Sequence, residues 1–143
     1  MIEELISMLE RGFKERVEVY KDRGRYFVMV EPSDLKKVVK LAVERGFNHL
    51  ITISGVDAGD HFEVVYHLKH GGEVLNLKVK VDKGNPRIPS VTEVIPGAVL
   101  YEYEVFDLFG VVPEGNEPPG PLVLPESWPR EVHPLHKEFK EES

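Results

Sequence analysis

A chain of 143 residues with 41% apolar and 30% charged residues has the size and balance of one soluble globular domain with a real core. Its formal net charge of −7, with lysines interleaved among acids, argues against a nucleic-acid partner, which needs a clustered basic surface. Cysteine is absent, which excludes disulfides, a thiol nucleophile and any iron–sulfur cluster held by this chain's own thiolates.

No run approaches the roughly 18 consecutive apolar residues of a membrane span. Met1-Ile2-Glu3-Glu4 lacks the basic-then-apolar layout of a signal peptide, so the expectation is a chain on the cytoplasmic side with no direct membrane insertion. Glutamine is absent while Glu and Lys abound, a mix associated with hyperthermophile proteins.

Ile2, Leu5, Ile6, Leu9 and Phe13 recur at helical spacing, and Gly12 is placed to end that helix. Val17 and Val19 alternate before a turn at Asp22-Arg23-Gly24, and Tyr26 to Val30 completes a predicted hairpin. Pro32 or Ser33 opens a second helix with Leu35, Val38, Val39 and Ala42 on one face, closed by Gly46. Three strands follow: His49 to Ser54, then Phe62, Val64, Tyr66 and Leu68, then Leu75, Leu77, Val79 and Val81. Gly71-Gly72 turns between the last two. This order predicts a two-layer α+β domain with one mixed sheet packed against helices. Ser90-Val91-Thr92-Glu93 has the pattern of a capping box opening a short helix that Pro96-Gly97 breaks, and Ala98 to Phe109 reads as a longer helix ended by Gly110. Beyond it stand seven of the eleven prolines, at 113, 118, 119, 121, 125, 129 and 134. Such density forces extended backbone. The domain reading is a body over residues 1–112 and an extended arm over 113–143.

Three acids crowd the last predicted helix. At 100° per residue, Glu102 falls within a broad apolar arc, while Glu104 and Asp107 lie on the opposite side. A carboxylate in an apolar arc needs partners. Glu102 either accepts backbone N–H groups or a cation and pins a loop, or serves as a general acid. A stand-alone enzyme using Glu102, Glu104 and Asp107 in acid–base chemistry is therefore the alternative function. His61 and His67 share a strand face but stand about 20 Å apart at 3.3 Å per residue, too far for one metal. No glycine-rich phosphate loop and no nucleophile elbow occur. In the arm, Leu122, Val123, Leu124 and Trp128 are large apolar groups that either fold back on the body or drape over a partner, with Trp128 as anchor.

Together these residues resemble the 30-kDa subunit family of respiratory complex I and of related membrane-bound nickel–iron hydrogenases. The family pattern Glu-Arg-Glu-x-x-Asp-x-x-Gly is met by Glu102, Glu104, Asp107 and Gly110, with Tyr103 in the arginine's place. The Leu-Pro-Glu-Asp-Trp motif is met by Leu124-Pro125-Glu126-Ser127-Trp128, and His-Pro-Leu-Arg-Lys-Asp-Tyr by His133-Pro134-Leu135-His136-Lys137-Glu138-Phe139. In the middle motif, Asn116-Glu117 replaces His-Pro and Gly120-Pro121 replaces an arginine pair. The resemblance implies a non-catalytic, cofactor-free subunit of an energy-converting oxidoreductase complex, peripheral on the cytoplasmic side of the membrane. It implies a clamp that holds a large catalytic subunit, 49-kDa-like or of hydrogenase type, beside an iron–sulfur small subunit. Those partners would carry the iron–sulfur clusters and nickel–iron. It also implies that Glu102, Glu104, Asp107, Gly110, Leu124, Pro125, Trp128, His133, Pro134, Leu135 and Lys137 form the docking element.

Overall fold

The stretches of period two fold into the centre of the protein. The structure, a computed structural model, describes residues 2–118, with Glu15 by its backbone alone. Strands β1 (Val17–Asp22), β2 (Arg25–Val30), β3 (His49–Asp57), β4 (His61–His70) and β5 (Glu73–Asp82) form one sheet in the order β1-β2-β5-β4-β3. β2 and β5 are parallel and the other pairs antiparallel, so the sheet is mixed as expected. Val28, Leu77, Tyr66 and Ile53 stand side by side across four strands, and all are buried. That row, with those above and below it, is the inner face. Three helices, α1 (Ile2–Phe13), α2 (Leu35–Glu44) and α3 (Val99–Phe109), close one apolar cluster with it. The fold is α+β.

Local chemistry explains most boundaries. Arg23 and Gly24 both take positive φ, 53° and 79°, giving the two-residue turn whose twist suits a hairpin. Gly46 ends α2 at φ 100°. Gly12 does not end α1. The helix runs through it to Phe13, and the left-handed residue that breaks the path is Lys14, φ 49°.

Among the described residues, the opposite sheet face is held by side-chain hydrogen bonds instead of a helix. Asn76, 2% exposed, donates its amide to the Tyr26 carbonyl at 3.0 Å, which leaves its Oδ1 to accept from His67 Nδ1 at 2.7 Å. The remaining ring nitrogen, Nε2, then accepts the Ser54 hydroxyl at 2.6 Å. One chain of bonds thus ties β2, β5, β4 and β3, and His67 is committed to it. On the same face Tyr20 stacks on Phe27 at 5.2 Å, with Lys78 Nζ about as far from both rings, 5.6 and 5.5 Å.

His61 stands apart from His67 and between two carboxylates, Glu63 at 3.2 Å and Asp60 at 2.6 Å. These bonds, that to Glu63 first, hold its pKa above the ordinary 6.5. A raised folded-state pKa means that the folded chain binds the proton more tightly than the unfolded chain. The contribution is therefore fully present below the ordinary pKa and is lost as pH rises through the raised one. We expect wild type to melt higher than His61→Gln near about pH 5.5, and the gap to close near about pH 9. Melting curves across that range check it; a gap that widens toward alkaline pH contradicts it.

Candidate functional site

The three acids lie on α3, and the backbone around the helix decides what each can do. Pro96 bars the preceding turn from continuing as α-helix, because residue 95 is forced extended, φ −126° and ψ 90°. Residues 96–98 make a 3₁₀ turn, α3 begins at Val99, and Gly110 closes it in the left-handed conformation, φ 79°, its N–H donating to the Phe106 carbonyl at 2.8 Å. A side chain at Gly110 would be strained there. The short helix expected at Ser90–Glu93 does not form. Val94 and Ile95 donate to the Val91 carbonyl in a single turn, and Glu93, the acid of the expected capping box, pairs with Lys36 at 2.8 Å. The box fails because its acid is engaged with Lys36 and because Ser90 Oγ accepts the Thr92 N–H at 3.1 Å, two residues on, not three; the Ser90 hydroxyl is left to donate to an acceptor elsewhere.

That acceptor is Glu102. Two short parallel strands, β6 (Arg87–Pro89) and β7 (Val112–Glu114), bring the segments before and after α3 together. Ser90 N–H donates to the Glu114 carbonyl at 2.8 Å, and Arg87 Nε donates to the Glu114 carboxylate at 3.0 Å. The pairing sets Ser90, Val91 and Asn116 around the Glu102 carboxylate, which is 4% exposed. Oε1 accepts the Ser90 hydroxyl at 2.8 Å and the Asn116 amide at 3.0 Å, and Oε2 accepts the Val91 N–H at 2.8 Å. Glu102 also stands in the first turn of α3, where the helix dipole favours a negative charge. Tyr66 lies beside it with its phenol held well above the usual pKa, by burial first and by the Glu102 charge second. A void of about 10 Å³ adjoins them, lined by Ile53, Val64, Ile88 and Val105 among others. Such a space holds one water and no substrate.

The predicted acids therefore separate. Glu102 faces inward and is sealed, as the loop-pinning reading of the sequence expects. Glu104 is exposed on the far side of the helix, and Asp107 is half-buried with an interaction of its own. The helix does not bring the three to one point, so the acid–base constellation is not assembled. Leu124, Pro125, Trp128, His133, Pro134, Leu135 and Lys137 lie outside the described residues. Sequence reasoning missed Ser90 as a partner of Glu102, taking it for a helix cap. It also missed Asn116, whose position, where the family pattern has histidine, was the available signal. Among the described residues no three His, Asp or Glu side chains gather as a metal site.

Comparison with known proteins places this architecture. Residues 28–143 match the family described as the 30-kDa subunit of respiratory-chain NADH dehydrogenase. An NADH-quinone oxidoreductase subunit of Roseiflexus sp. (strain RS-1) is 39% identical over 124 residues, covering 81% of this chain and 70% of that protein. Formate hydrogenlyase subunit 5 of Escherichia coli (strain K12) is 33% identical over 125 residues, covering 83% of this chain but 22% of that longer protein. Among solved structures, a chain of the membrane-bound sulfane sulfur reductase, an archaeal respiratory membrane complex, superposes with a TM-score of 0.83 at 27% identity, over 96% of this chain and 85% of that one. The chain belongs to the family of the respiratory-chain NADH dehydrogenase 30-kDa subunit.

Proposed function

We propose that this protein is a non-catalytic assembly subunit of a membrane-bound, energy-converting oxidoreductase complex of hydrogenase or complex I type. It clamps a large catalytic subunit next to an iron–sulfur small subunit from the cytoplasmic side of the membrane. The observation that carries this reading is the state of Glu102: the most buried acid of α3 is spent on holding the segments at residues 90–92 and 116 against the helix. A carboxylate with three donors and a water-sized void beside it positions backbone; it does not transfer protons to a substrate. Electron carriers, iron–sulfur and nickel–iron among them, belong in this reading to the partner chains. No helix of the described residues is long and apolar enough to cross a membrane, which fits peripheral attachment through partners.

The length relation with formate hydrogenlyase subunit 5 supports the same reading. There a stretch similar to this chain is 22% of a longer polypeptide. In this reading the remainder of that polypeptide takes the place of a separate partner chain, which here is held through a docking surface and an arm. Body and arm divide the labour: Glu104, Asp107 and Gly110 lie on α3 and its cap, in a body that continues through β7 to Asn116, and Leu124, Pro125, Trp128, His133, Pro134, Leu135 and Lys137 lie in the strap beyond it.

Trp128→Ala tests the arm's part in this. The substitution should cut recovery of the assembled complex from solubilised membranes by about tenfold or more, in line with aromatic anchors at interfaces. The melting temperature of the isolated chain should hardly move. A sharp fall in that melting temperature, with assembly intact, would place Trp128 in the body's own core instead.

A further inference from the structure

The three helices differ in what they turn outward. Glu4 and Glu10 of α1 are exposed, as are Lys37, Lys40 and Glu44 of α2 to varying degree. Both helices follow the ordinary pattern of an apolar inner stripe and a charged outer face. α3 does not. Its eleven residues comprise eight apolar or aromatic side chains and three acids, and it contains no Lys or Arg. Among them only Glu102, Val105 and Phe109 are fully buried. Tyr101, Tyr103, Phe106 and Leu108 are all only half-buried, so apolar side chains reach well beyond the inner stripe, the pattern of a helix covered by protein on more than one side.

At about 100° per residue, Leu100, Tyr103, Glu104 and Asp107 fall on one side, away from Val105 and Phe109. Among the described residues Leu100 is 74% exposed, well beyond the next large apolar side chain, Val56 at 46%. It lies about 10 Å along the axis from Asp107, at 1.5 Å per residue. This is a short ridge with an apolar crest at one end and carboxylates along it.

We infer that the outer face of α3, centred on Leu100 and Tyr103, is the seat of the large partner chain, which meets it with an apolar socket rimmed by Arg or Lys. The inference rests on reading the chain as a complex subunit and adds where the partner sits and what its surface is made of. Charge selects the occupant. Glu104 is exposed, Asp107 is half-buried and already engaged, and α3 offers no cation, so the ridge repels an anionic lipid surface, which attracts basic segments. A second copy of this chain is disfavoured for the same reason. A two-fold contact presents the same patch on both sides and would set Glu104 against itself or its neighbours. A different protein with complementary charge answers both the apolar crest and the acids.

Site-specific photo-crosslinking in the native host tests this. A benzophenone side chain is placed at Leu100 and, as a control, at Lys40 on the exposed face of α2. The complex is then isolated from gently solubilised membranes and the adducts are identified by mass spectrometry. The expected result is an adduct from position 100, and none from position 40, to a co-purifying chain similar in sequence to the part of formate hydrogenlyase subunit 5 that lies beyond the present match. Leu100→Arg and Glu104→Lys should each lower recovery of the complex by about tenfold or more, as for residues at the centre of an interface. The melting temperature of the isolated variants should match wild type. An intact complex with no adduct from position 100, an adduct within residues 119–143 of the same chain, or an adduct to a second copy overturns the inference and leaves the subunit reading standing. Failure of the wild-type chain to isolate with any such partner removes both.

Discussion

Glu102→Ala lowers the stability of the isolated chain by about 1–3 kcal/mol, the cost of stranding buried donors. Three donors converge on this carboxylate, and they do not lose equally. The Ser90 hydroxyl keeps Thr92 Oγ1 at 2.8 Å as a second partner, and Asn116 is only partly buried. The Val91 N–H is enclosed and has nowhere else to go; Val91 itself is fully buried. The loss therefore centres on residues 90–92 and loosens the β6–β7 pairing that joins the two ends of the α3 segment. Glu102→Gln keeps the shape but turns an NH₂ group toward one set of donors, so it recovers only part of the loss. Thermal or urea unfolding of the three chains measures this. Wild-type stability in Glu102→Ala would mean that the carboxylate is not the pin described here.

Gly55→Ala has an effect of similar size from packing alone. Gly55 pairs with Val64 in the sheet, and a Cβ built on it would lie 2.5 Å from Cε2 and 2.7 Å from Cδ2 of Phe109. Phe109 cannot give way easily: it is 4% exposed and meets Phe62 edge-on at a centroid distance of 5.7 Å. Overpacking of this kind costs about 1–3 kcal/mol. Because α3 is the element displaced, Phe109→Leu should absorb part of the strain, and the double variant should lose less than the two single losses together. Strict additivity in unfolding measurements would show that α3 does not rest on Gly55 through that ring. The two substitutions probe the helix from opposite ends, Glu102 in its first turn and Phe109 in its last.

What the sequence discloses depends on how local the cause is. The inner residues of β4 and β5 are legible because each strand alternates over most of its length, and the pleat alone turns them to one face. The burial of Glu102 is legible in the same way, from helical geometry and its apolar neighbours. The parallel placement of β5 between β2 and β4 is not, because it follows from the path of the whole chain. β6 and β7 are three residues each and carry Pro89 and Pro113, so they lack the usual marks of a strand; proline is tolerated there because each has an outer side with no ladder partner. The partners of Glu102 are hidden for a related reason. Ser90 does make a local bond, its Oγ accepting the Thr92 N–H at 3.1 Å, but its own proton goes twelve residues along to a buried carboxylate, and no local pattern encodes that partner. His67 was legible as a strand histidine on the face of His61, while its tie to Ser54 and Asn76 needed the register of three strands.

On the reading proposed above, this chain acts as part of a larger assembly and not alone. Affinity isolation of the tagged, full-length chain at native expression from gently solubilised membranes tests that most directly. The expected result is co-isolation, in fixed ratio, of a large subunit and an iron–sulfur small subunit of hydrogenase or dehydrogenase type. Recovery of the chain by itself, with no such large subunit, would contradict it.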